Sequence, residues 1–129
     1  MNRQVLIVDD DPVSLLLLRH MLEANGFTVV EATGVSAACG VLMDAEPHQI
    51  DIIVSDYLMA DGTGLDLFGA VMAEERFAAV PFVLLTGVAL IDEIDDPRAD
   101  SVTAFVTKPI SSSELMDVVN GLELRWVAA

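Results

Sequence analysis

Short apolar runs alternate with longer stretches of helical periodicity along the whole chain. Val5-Leu6-Ile7-Val8, Ile52-Ile53-Val54, Phe82-Val83-Leu84-Leu85 and Phe105-Val106 end in charges or turn residues. Runs of this length and composition read as strands buried on both faces of a parallel sheet. The pattern predicts strands over Gln4 to Val8, Phe27 to Val30, Asp51 to Ser55, a run opened by Pro81, and Phe105 to Thr107.

Helix signals fill the gaps. Asp11-Pro12 supplies a capping carboxylate and a first-turn proline, and Gly26 stops that helix near Asn25. A second helix is expected from Val35 to Ala45, ended by Pro47. A third follows the loop Ala60-Asp61-Gly62-Thr63-Gly64 and runs from Leu65 to about Glu75. The fourth is expected to be short or partly irregular, because Asp92-Glu93-Ile94-Asp95-Asp96-Pro97 crowds like charges and then places a helix breaker. Ser111-Ser112-Ser113-Glu114 has the capping-box pattern, and Leu115, Val118, Val119, Leu122 and Trp126 share one stripe of a last helix.

Five strands alternating with five helices describe an α/β fold, a doubly wound parallel sheet with helices on both faces. Periodicity does not set strand order. The order 2-1-3-4-5, one of the two common doubly wound arrangements, would put strands one, three, four and five side by side. With no repeat and no Pro/Gly/Ser-rich linker, residues 1–129 are expected to form a single domain.

Composition narrows the picture. Hydrophobic residues make up 53% of the 129 with few aromatics, so the interior is mostly aliphatic. The formal net charge of -15 argues against direct nucleic-acid binding, which needs Lys and Arg on phosphates. The single Cys39 excludes an internal disulfide, and its small and apolar flanks suggest burial. No apolar run suits a signal peptide or membrane span, so a cytoplasmic protein is expected.

The candidate chemistry lies where the strands end. Asp9 and Asp10 follow the first, Asp56 the third, Thr86 the fourth and Lys108 the fifth. Ligands in such sheets sit beyond the carboxyl ends of the strands, so one crevice would collect three carboxylates, a hydroxyl and an ammonium. Mg²⁺ needs only one or two carboxylates beside water and phosphate oxygens, and Asp9 and Asp10 can supply them, with Asp10 favoured for direct contact. Asp56 suits a carboxylate nucleophile that forms an aspartyl phosphate. Thr86 and Lys108 can read phosphoryl oxygens, and Gly87 leaves the nucleophile open. A cis Lys108-Pro109 bond would aim the lysine inward. His20, among Leu17, Leu18, Met21 and Leu22, is expected to pack within its helix, and His48 beside Pro47 carries no pattern.

Val5-Leu-Ile-Val-Asp-Asp-Asp-Pro12, Asp51-Ile-Ile-Val-Ser-Asp-Tyr-Leu-Met59 with Gly64, Leu84-Leu-Thr-Gly87 and Phe105-Val-Thr-Lys-Pro109 resemble, in order and spacing, the receiver domains of two-component response regulators. The resemblance covers essentially the whole chain. It implies a flavodoxin-like fold and a signalling domain rather than an enzyme, one that assists its own phosphorylation and dephosphorylation. It also implies that Asp56 accepts phosphate from a sensor histidine kinase or histidine phosphotransfer protein. Asp9, Asp10 and Asp56 would hold Mg²⁺ with the Leu58 backbone carbonyl, Thr86 and Lys108 would read the phosphoryl group, and Thr86 and Phe105 would form a switch. Without the resemblance Phe105 is simply a core aromatic. A phosphorylation-dependent dimer would fit, the downstream target is not encoded in any motif, and no appended output region is present, so the chain is a stand-alone receiver or a piece of a longer regulator.

Some positions depart from the family pattern. Ala60 stands where many members have Pro, Phe105 lacks the common hydroxyl, and Leu58 and Val88 flank the acceptor where polar residues often orient water. Slow acyl phosphate hydrolysis is the expected consequence. The acidic stretch Asp92 to Asp100 would favour basic partners on the output face or serve as a solvated loop. Two other readings compete. Leu6 to Val13 also fits the Asp-x-Asp-x-Val pattern of haloacid-dehalogenase-type phosphatases, with Asp9 as nucleophile and Asp11 as acid, and a phosphorylation-independent interaction module would keep the same fold.

Overall fold

The computed structural model describes residues 3–44, 49–87 and 93–128, with side chains of the last helix described to residue 122. In chain order the elements are β1 (Gln4–Val8), α1 (Pro12–Glu23), β2 (Thr28–Ala32), α2 (Val35–Asp44), β3 (Ile52–Asp56), β4 (Leu58–Met59), β5 (Gly62–Thr63), α3 (Gly64–Met72), β6 (Phe82–Gly87), β7 (Ala104–Lys108) and α4 (Ser112–Ala128), with 3-10 turns at Glu75–Phe77 and Pro97–Ser101. Five strands form one parallel sheet in the order β2-β1-β3-β6-β7, which is 2-1-3-4-5 when its own strands are counted. The two-residue strands β4 and β5 make a separate antiparallel ladder.

Strand alternation builds two cores from one sheet. Val5 and Ile7 of β1 pack with Leu15, Leu18 and Leu22 of α1 and Leu115 and Val119 of α4, whereas Leu6 and Val8 pack with Ala38 and Leu42 of α2 and Leu65, Phe68 and Val71 of α3. Both faces of β1 are fully buried, which is why its sequence is apolar without a break. At about 25 cal/mol per Å², this burial is the main force holding the strand ends in register.

The helix starts and stops follow local chemistry. The Asp11 carboxylate accepts from the Val13 amide at 3.1 Å and caps α1, and Gly26 at φ 90° turns the chain out of it. The Ser111 hydroxyl accepts from the Glu114 amide at 3.0 Å at the start of α4. Helix α3 ends at Met72, three residues short of the expected Glu75, and its reciprocal capping box between Thr63 and Asp66 was not among the sequence signals. Residues 88–92 lie outside the described residues, and so do Val88, Asp92 and part of the expected fourth helix. The rest of that stretch is the 3-10 turn opened by Asp96 and Pro97. Ala45, Pro47 and His48 and the Trp126 side chain also fall outside the described positions.

Three expectations are corrected. His20 is exposed, because it lies about 200° around the helix from the buried Leu18 and shares the outer face with Leu16 and Leu17. Cys39 is half-buried, since α2 turns Ala38 and Leu42 inward. Phe105 is not a core aromatic: Val106 takes the buried position in the edge strand β7, and Phe105 is 37% exposed.

Candidate functional site

The sheet register brings the candidate residues to one edge. Val8 pairs with Ser55, Asp56 with Leu85, Thr86 with Thr107, and Gly87 with Lys108, so Asp9, Asp56, Thr86 and Lys108 all emerge at the carboxyl ends of adjacent strands. Carboxylate oxygens of Asp9, Asp10 and Asp56 lie within 4.8 Å of one another. The Lys108 ammonium reaches Asp56 Oδ1 at 2.9 Å and Asp9 Oδ2 at 3.4 Å. The Lys108-Pro109 peptide is cis, as expected.

Each carboxylate has a distinct setting. Asp9 is buried, and its Oδ1 accepts from the Asp11 amide at 2.9 Å. Asp10 is exposed, and its Oδ2 accepts from the Ala60 amide at 2.8 Å across the mouth of the site. Asp56 Oδ1 also accepts from the Tyr57 amide at 3.0 Å. Burial raises the Asp56 carboxyl above its ordinary value, Asp9 adds to the rise, and the Lys108 and Tyr57 contacts oppose it without cancelling it. Burial alone would push the Lys108 ammonium down, but its hydrogen bond to Asp56 and the charges of Asp56 and Asp9 outweigh that and hold it above its usual value.

Thr86 is buried at the end of β6, with its hydroxyl 3.5 Å from the Gly87 carbonyl, a long and weak contact. Leu58 lies two residues beyond Asp56 with a 55% exposed side chain, an apolar rim at the opening. Asp11, the acid in the phosphatase alternative, is already used: it caps α1 and accepts from the Ser14 hydroxyl at 3.0 Å.

The donor set fits a hard divalent cation. Three carboxylates and one ammonium leave two formal negative charges, and clustered oxygens with an open side suit an ion that keeps several waters. The same arrangement suits phosphoryl transfer, where the protein's task is mainly to position and neutralise charge.

Several contributors were not apparent from the sequence. The Asp61 carboxylate accepts from the Val35 and Ser36 amides at 2.9 and 3.0 Å and so caps α2 from the loop that follows the acceptor, which holds its carboxyl below the usual carboxylate range. Gly64 lies so close to Asp56 that an added Cβ would come within 2.5 Å of the Asp56 carbonyl. Arg98 ties the 3-10 turn to α3 through Asp96 at 2.7 Å and Asp66 at 3.1 Å.

Known proteins resemble this chain in sequence and fold. The family model described as the response regulator receiver domain matches residues 5–120. The chain is 31% identical over 117 residues to the chemotaxis protein CheY of Pseudomonas aeruginosa, covering 90% of this chain and 92% of that one. It is 33% identical over 128 residues to the sensor protein GacS of Pseudomonas syringae, covering 95% of this chain but 14% of the relative. A response regulator receiver protein from Pseudomonas putida superposes with a TM-score of 0.81 at 30% identity, covering 94% of this chain and 98% of that one. No helix among the described residues is long and apolar enough to cross a membrane. Both the fold and the match over nearly the full length lead to one assignment: the chain belongs to the response regulator receiver domain family, the signalling domains of two-component phosphorelays.

Proposed function

We propose that Asp56 is the phosphoacceptor, and that a sensor histidine kinase or histidine phosphotransfer protein is the donor. The observation that carries this reading is the Asp56 carboxylate 2.9 Å from the Lys108 ammonium and clustered with Asp9 and Asp10. A carboxylate oxygen of Asp56 attacks phosphorus, the bond from phosphorus to the donor histidine nitrogen breaks, and the imidazole leaves, taking a proton from solvent. Asp9, Asp10, Asp56 and the Leu58 backbone carbonyl would hold Mg²⁺, which supplies charge neutralisation for the phosphoryl oxygens. Lys108 transfers its contact from the free carboxylate to a phosphoryl oxygen, and the Thr86 hydroxyl donates to another.

Formation of those bonds biases Thr86 and the outward-facing Phe105 toward a second arrangement, and this changes the surface offered to partners, including a second copy of the chain. Residues 1–129 act in this reading as one receiver unit in the cytoplasm. The test is to incubate the protein with acetyl phosphate and Mg²⁺ and locate the acyl phosphate by mass spectrometry. Modification at Asp56 that disappears in Asp56→Asn is expected; modification at Asp9 would overturn the reading.

A further inference from the structure

We infer that Asp61 and the Ala60 backbone amide are positioning elements for the divalent-cation site. They act through Asp10 and take no direct part in ligation. Helix α2 is the starting point. Its first carbonyl belongs to Gly34, which accepts from the Ala38 amide at 3.0 Å, so Gly34 occupies the capping position with no side chain to satisfy the free amides. Asp61 supplies that cap from another part of the chain, gripping the Val35 and Ser36 amides with both oxygens. A Cβ on Gly34 would come 2.7 Å from Asp61 Oδ1, so the bare backbone there makes room for the carboxylate.

This grip fixes the loop one residue from the site. The neighbouring Ala60 amide donates to Asp10 Oδ2 at 2.8 Å, while the other end of the loop is held by the Gly64 amide on the Tyr57 carbonyl at 2.7 Å and by the Thr63–Asp66 capping box. Asp10 is exposed, and an exposed carboxylate has free rotamers to lose on ligation. The Ala60 amide restricts that freedom in advance by holding one carboxylate oxygen. Groups that orient a metal ligand in this way carry a large share of affinity. Residue 60 can play this part only because it has an N–H, which proline lacks.

This inference rests on the reading that the three aspartates take Mg²⁺. Binding would be measured by electron paramagnetic resonance of Mn²⁺ with Mg²⁺ competition, on parent, Asp10→Asn, Ala60→Pro, Asp61→Ala, Gly34→Ala and the Ala60→Pro/Asp61→Ala double variant, with circular dichroism confirming that each is folded. Expected are about a tenfold weaker Mg²⁺ affinity for Ala60→Pro, a several-fold loss for Asp61→Ala and Gly34→Ala, and a double variant no weaker than Ala60→Pro alone. Should Ala60→Pro not fold, Asp61→Ala and Gly34→Ala carry the test. Parent-like affinity in the folded variants, or losses that multiply in the double, would overturn the inference. A parent that binds no better than Asp10→Asn would instead overturn the metal-site reading beneath it.

Discussion

Replacing Asp56 with Asn should stabilise the metal-free protein, although it removes a residue from the centre of the site. The Asp56 carboxylate lies within 4.8 Å of both Asp9 and Asp10; repulsion by the buried Asp9 costs about 3.5 kcal/mol at an effective dielectric of ~20, and solvent screens the exposed Asp10 to less than that. The Lys108 contact at 2.9 Å returns about 5.7 kcal/mol on the same scale. The charge pairs thus come close to cancelling, and burial of the charged carboxylate, the largest cause of the raised Asp56 carboxyl, tips the balance against the ionised group by roughly 1 kcal/mol. For a chain of this length the melting temperature of Asp56→Asn should rise by about 3–5 °C in EDTA. Mg²⁺ reverses the ranking: at 100 times its dissociation constant it adds about 2.7 kcal/mol to the parent and less to a variant missing one of three carboxylates. The pH dependence has a definite sign. A carboxyl raised in the folded state is protonated in both states below its unfolded value, so its cost appears as pH rises through that value and is complete above the folded one. The advantage of Asp56→Asn in EDTA should accordingly be present at pH 7 and vanish as pH falls below about 4. Differential scanning calorimetry with and without metal checks each part. A variant less stable than the parent without metal, or an unchanged metal increment, would refute the charge argument.

Two further substitutions test the surroundings of the acceptor. Leu58→Asn should shorten the lifetime of the acyl phosphate, because a polar side chain at the exposed rim can orient the attacking water that Leu58 cannot; faster decay in the parent, followed by loss of label, would contradict this. Gly64→Ala should cost about 1–3 kcal/mol in urea denaturation, since its Cβ would meet the Asp56 carbonyl and Leu84 Cδ1, each at 2.5 Å; an unchanged midpoint would mean that α3 can back away from the strand without penalty.

What could be read in advance, and what could not, divides along a physical line. Val5 to Val8 and Ile52 to Val54 are apolar without interruption because both faces are buried, so strand identity is written locally, and the chemistry at Asp9, Asp56 and Lys108 follows directly from where those strands end. The ends of α1 and α4 are also local, since Asp11 and Ser111 cap from within a few residues. By contrast, α2 is capped by a carboxylate 26 residues away, and nothing near Gly34 announces it. The exposure of His20, and of Phe105 against its core-aromatic alternative, has a related reason: an apolar neighbourhood in sequence does not say which side of a helix or edge strand meets the core. The parts of the site that do chemistry are thus single residues at strand ends, visible as sequence patterns. Those that hold it in place are pairs such as Asp10–Ala60 and Asp61–Val35, brought together only when the sheet assembles. Mutations at the second kind should therefore alter affinity for the cation while leaving every acidic ligand intact, a separation that a reading from motifs alone would not anticipate.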